Sequence, residues 1–147
     1  MSRGLAVLLV TAAGCFVGMQ APINARLGRQ IGSLQAATVS FLVGAAALVI
    51  IAGLSSGGLS PIGQAKNAPW WALIGGLLGA FYVTIAIVTV RTLGVSGLTA
   101  TVITAQLATA VVIDRFGLLG AARQHIGPAR ILGLVMLIAG AVLVVRR

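Results

Sequence analysis

Five apolar stretches run along this chain, and its charged residues fall between them or at their edges. A helix needs about 20 apolar residues, at about 1.5 Å rise each, to cross about 30 Å of hydrocarbon. No formal charge occurs from Gly4 to Ala25, and the run from Leu34 to Leu54 is almost wholly Ala, Val, Leu, Ile and Gly. These predict helices over about 4–25 and 34–54. Between Lys66 and Arg91 the uncharged run opens on Pro69, Trp70 and Trp71. Proline suits a helix start and indoles favour the membrane interface, so a third helix is predicted over 69–90. A fourth, over 93–113, ends where charge returns at Asp114 and Arg115. The fifth, over 128–146, is free of charge only from Ile131 to Val145, and needs Arg130 and Arg146 to snorkel to the headgroups. Residues 26–35 carry no sustained helical stripe and read as a short loop or a helix extension. The longer connections, Ser55 to Pro69 and Phe116 to Gly127, leave no room for a soluble domain. One bundle of five helices, residues 1–147, is expected, with no internal duplication.

Composition agrees with lipid as the solvent. With 59% hydrophobic and 7% charged residues and a mean hydropathy of +1.13, a soluble domain of this length would lack the polar surface to cover itself. The formal charge of +9 raises nucleic acid as a partner. The basic residues, however, are scattered singly or in pairs rather than gathered in a stripe, and read as interfacial anchors. Cys15, the one cysteine, excludes an intrachain disulfide. Arg3, the apolar run after it and Ala12-Ala13-Gly14-Cys15 have the outline of a lipoprotein signal. Against this, Ala12 stands where a branched aliphatic residue is usual, and the apolar run continues past Cys15.

Threading five spans through a bilayer divides the basic residues equally. Arg3, Lys66, Arg115, Arg123 and Arg130 fall on one face, and Arg26, Arg29, Arg91, Arg146 and Arg147 on the other. Orientation normally follows an excess of Lys and Arg on the cytoplasmic side, so a tie predicts insertion in both directions. An odd number of spans with no preferred orientation is what an antiparallel homodimer of an inverted-repeat transporter requires.

Helices in lipid associate through close backbone approach at small residues. Gly14 and Gly18 in the first helix, and Gly75 and Gly79 in the third, have GxxxG spacing; Ala100, Thr104 and Ala108 make a small face in the fourth. All are candidates for helix packing.

Polar side chains within the spans must find a partner or a cavity, because an unpaired amide in hydrocarbon is costly. Gln20, Pro22 and Asn24 alternate in the first helix. Pro22 cannot donate to the carbonyl of Gly18, which predicts a kink and a free carbonyl beside two amides. The group fits a binding element, and equally a kinked helix end whose amides satisfy loop backbone. Gln106, with Thr99, Val102 and Thr109 at helical spacing, lies on a mildly polar face of the fourth helix, where it could bond a substrate or join two helices. Tyr82 offers a ring and a hydroxyl. Ser40 and Thr84 are weaker candidates because either hydroxyl can bond back to its own helix. Trp70 completes the set.

Missing residues narrow the chemistry. There is no Glu, and the sole acid, Asp114, sits at a helix end beside Arg115, where pairing or helix termination accounts for it. No carboxylate within a span could exchange protons for a cationic drug. His125 falls in a connection, no cluster has metal-ligand spacing, and no nucleophile stands by a base. Neither an enzyme nor a cofactor is expected.

Four strings carry a resemblance: GMQAPINARLGR from Gly18 to Arg29, SFLVG from Ser40 to Gly44, PWWALIGGLLGAFYVT from Pro69 to Thr84, and TAQLATAVVIDRFGLLG from Thr104 to Gly120. They resemble the YdcZ-like branch of the drug/metabolite transporter superfamily across all five predicted helices. The resemblance implies a bacterial-type, multi-pass inner-membrane protein, half of a ten-helix inverted-repeat transporter. It implies export of a small molecule by alternating access, paired in antiparallel fashion with a second copy or a paralogous five-helix partner. Gln20, Asn24, Trp70, Tyr82, Gln106 and Asp114 lie within these strings, and Asp114, Phe116 and Gly117 could equally shape a helix end. Two other readings stay open: a small dual-topology anion channel, favoured by the positive charge, and a membrane scaffold that transports nothing.

Overall fold

The computed structural model describes residues 1–146, and Arg147, counted above on one face, lies outside the described residues. Regular structure among the described residues is all helical: α1 (Arg3–Ile31), α2 (Ser33–Leu54), α3 (Gly75–Phe116) and α4 (Pro128–Val145), with short 3₁₀ segments at Ser60–Asn67, Trp70–Leu73 and Leu118–Gly120. Most large apolar side chains are exposed on the single chain, among them Leu8, Val10, Phe16, Leu42, Ile50, Leu78 and Met136. Water does not tolerate apolar surface of that extent, whereas lipid does.

The helix boundaries differ from the expected ones for local reasons. Of the segment read as a loop or an extension, residues 33–35 open α2 and residues 26–31 extend α1, which continues to Ile31. It stops at Gly32, whose φ of 94° and ψ of 151° are open essentially to glycine alone. α2 begins at the next residue, and its first bond runs from the Ala36 amide to the Gly32 carbonyl at 3.0 Å. Pro69 opens a 3₁₀ turn, and α-helix follows only from Gly75.

Helical structure from Trp70 to Phe116 spans 47 residues, about 70 Å, roughly twice what one crossing needs. Its interruption is Gly94, at φ 71° and ψ 170°, again a glycine-only conformation. α3 is therefore two arms, residues 75–93 and 95–116, and with α1, α2 and α4 they make five helical segments. Cys15 lies exposed inside α1, which continues beyond it.

The chain divides into two compact units, Met1–Arg91 and Thr92–Arg147. In the first, α1 and α2 form a hairpin on which the first arm of α3 packs. The buried cluster is Ala36, Ala37, Val83 and Ile87, with Leu27 and Tyr82 against it. Small residues Ala25, Gly28, Ala36 and Ala37 line the contact, as packing in lipid favours. A Cβ added at Gly28 would stand 3.0 Å from Ile87 Cγ2, so glycine there is what lets the arm come this close. Among the expected packing glycines, a Cβ added at Gly79 would meet the Phe41 ring at 3.2 Å, whereas one added at Gly14, Gly18 or Gly75 would meet nothing within 4 Å among the described residues. In the second unit, Thr104 and Ala108 of α3 line an apolar groove of about 440 Å³ with Ile138, Ala141 and Val142 of α4.

Candidate functional site

Within the first unit, α1 and the first arm of α3 bring Gln20, Asn24 and Tyr82 to one seam, walled by Ala21, Val83, Ala86 and Ile87. The helical register explains this. Gln20 and Asn24 are four residues apart on α1, hence on one face, and Tyr82 and Ala86 are likewise related on α3. The hollow has a volume of about 10 Å³, close to the least a single water needs. In this conformation the seam is nearly closed.

Asn24 is its buried polar member, with 6% of its surface exposed. Its Nδ2 donates to Ser40 Oγ of α2 at 3.1 Å, so the expected weak candidate Ser40 holds the amide rather than bonding to its own helix. Thr84 does bond back, donating to the Ala80 carbonyl at 2.8 Å. Gln20 and Tyr82 are half-buried and make no side-chain hydrogen bond to another described residue. Two amides and a phenol thus edge the seam, with Asn24 fixed and the other two free to accept or donate. Pro22 opens on a different, outward hollow with Ile23, Arg26, Leu27 and Gln30.

The remaining candidates stand elsewhere. Trp70 is 76% exposed at the first residue of a 3₁₀ turn, suited to a headgroup layer. Gln106 belongs to the second unit, where it is exposed on α3. Around it, Thr101, Thr104 and Thr109 each donate to their own helix, to the carbonyls of Gly97, Ala100 and Ala105. These hydroxyls are thereby taken up locally.

Asp114 finds a partner other than the adjacent Arg115. Arg130 Nη2 of α4 donates to Asp114 Oδ2 at 2.8 Å. Consecutive helical residues do not face each other, so Arg115 points away. The Gln124 backbone N–H donates to the Asp114 carbonyl at 2.9 Å, and Arg123 Nε to the Phe116 carbonyl at 3.3 Å, tying the connection down at this end of the unit.

Arg91 escaped the sequence reading except as a topological charge. It lies four residues beyond Ile87 on α3, as Gly28 lies four beyond Asn24 on α1, and its Nη2 would be 3.4 Å from a Cβ at Gly28. The signal was the glycine at that spacing from Asn24.

A family model described as "Putative inner membrane exporter, YdcZ" matches residues 5–143 of the chain. Over 154 aligned residues the chain is 31% identical to "Inner membrane protein YdcZ" of Escherichia coli (strain K12), an alignment covering all of this chain and 99% of that protein. No solved structure matches it.

Proposed function

Since the chain belongs to the YdcZ family and is a multi-pass inner-membrane protein, we propose that it is the half-subunit of a small-molecule exporter of the drug/metabolite transporter type. The observation that carries the reading is the seam of Gln20, Asn24 and Tyr82, polar groups set among apolar helices in a protein matched to an exporter family. Polar groups placed so in a membrane mark substrate paths. The equal division of basic charge supports antiparallel pairing of two copies, each supplying one five-helix half. Alternating access then opens the seam to either side in turn, and Gln106 is a further candidate for contact with the substrate.

The test is reconstitution of purified protein into liposomes with a panel of labelled metabolites and drugs. Saturable, substrate-selective efflux is expected; non-saturating ion current would replace the carrier by a channel. A reporter fused after Arg147 is expected to be active on both sides of the membrane, and two or three lysines added to one face should bias it. Activity confined to one side would rule out the self-paired dimer.

A further inference from the structure

Among the described residues, Arg91 has no partner for its guanidinium. Its guanidinium makes no hydrogen bond or ion pair among the described residues, and the sole acid, Asp114, is engaged by Arg130. The placement of Arg91 is specific. Gly28 and Arg91 each lie one helical turn beyond a residue of the seam, Asn24 and Ile87, and Arg91, exposed on α3, holds its Nη2 3.4 Å from where a Cβ on Gly28 would stand. Arg26, by contrast, lines the outward hollow with Pro22.

We propose that Arg91 is an oxyanion-binding position: exposed beside Gly28, it receives the carboxylate or phosphate of a ligand whose remaining polar atoms meet Gln20 and Tyr82 in a conformation that opens the seam. The planar guanidinium offers two parallel N–H donors that match either group. Two sources carry such a group, an anionic cargo and an anionic lipid headgroup. The cargo source rests on the transport reading above, and the lipid source does not.

Binding is measured on the full chain in neutral detergent, from the shift of its thermal midpoint with added inorganic phosphate, acetate, or short-chain phosphatidylglycerol, and with short-chain phosphatidylcholine as the uncharged control. Anion binding is expected in the wild type, weaker by roughly tenfold to a hundredfold in Arg91→Gln, and unchanged in Arg115→Gln, as loss of a charge-assisted bond implies. Arg91-dependent binding of phosphate or acetate assigns the position to cargo. Binding of phosphatidylglycerol alone assigns it to lipid. Equal anion affinity in wild type and a folded Arg91→Gln, or no anion binding by the wild type, overturns the site. Should Arg91→Gln not fold, Arg91→Lys takes its place: it keeps the charge and loses the paired donors, so several-fold weaker phosphate binding is expected and unchanged binding overturns the proposal. Arg91-dependent phosphate binding without flux of any anion in liposomes would leave the site standing and refute the carrier.

Discussion

The two units hold their helices together in different ways. In Met1–Arg91 the link is a side-chain bond between helix faces, from Asn24 of α1 to Ser40 of α2, set beside a cluster of small and branched residues. In Thr92–Arg147 the links lie at one end, where Asp114 meets Arg130 and two further bonds fasten the connecting segment. The hydroxyls along its helices bond to their own backbone, and an open apolar groove runs between α3 and α4. Lipid gives no hydrophobic drive between helices, so faces joined by packing and a buried bond are held in register, while helices clasped at one end keep freedom along their length. Substitutions inside the first unit should therefore cost more than those in the second.

The largest effect is expected at Gly28. Gly28→Leu forces side-chain atoms into space occupied by Ile87 and Arg91, and overpacking of this kind costs about 1–3 kcal/mol. The thermal midpoint in detergent should fall sharply. Gly14→Leu is the matched control, because a Cβ there meets nothing within 4 Å among the described residues. A comparable loss of monomer stability for both would erase the distinction between a packed and an open face. A loss of dimer yield confined to Gly14→Leu would place the second copy on the α1 face that this chain leaves bare.

Next comes the interhelical bond. Asn24→Leu and Ser40→Ala should each lower stability by about 0.6 kcal/mol, and at most about 1.7 kcal/mol, the range measured for such bonds within membranes. The double variant should cost less than the sum of the singles, because both remove one interaction. Strict additivity would show that the bond contributes nothing beyond packing.

The helical segments were legible because their signal is one-dimensional: uncharged runs of spanning length between charged residues. What stayed hidden depends on backbone conformation and on partners distant in sequence. Gly94 is one of many glycines, and only its φ and ψ reveal that it, rather than Arg91 and Thr92, divides the third and fourth helical segments. The charges and the lack of a helical stripe in residues 26–35 concealed how far α1 continues, to Ile31. Around the site, Gln20, Asn24 and Tyr82 could be named as isolated polar residues in apolar runs. That they share one seam, that Ser40 holds Asn24, and that Arg91 comes beside Gly28 required the packing of three helices. The partner of Asp114 was hidden likewise, sixteen residues away.

A smaller effect is expected at the end clasp. The side chains of Arg130 and Asp114 retain 40% and 23% of their exposure, so solvent screens the pair and Asp114→Asn should cost no more than about 1 kcal/mol. Flux and its pH profile should be nearly unchanged, since the carboxylate is occupied by Arg130. A flattened pH profile in a folded protein would instead make Asp114 a proton carrier, and the second unit the seat of coupling.

The smallest effect on the isolated chain is expected at Gln106. Its side chain is exposed and unbonded among the described residues, so Gln106→Leu should change monomer stability by less than about 0.5 kcal/mol. Its consequence should appear only in function. A lost hydrogen bond to cargo, worth about 0.5–1.5 kcal/mol, would weaken affinity by up to roughly tenfold. Were the amide bonded to the second copy instead, dimer yield would fall while flux per folded dimer stayed normal. Comparison with Asn24→Leu completes the contrast. In the first unit, stability and affinity should fall together because one amide both joins helices and edges the seam. In the second, affinity should fall alone. Unchanged cargo affinity in both variants, with both proteins still dimeric, would remove Asn24 and Gln106 from the transport path.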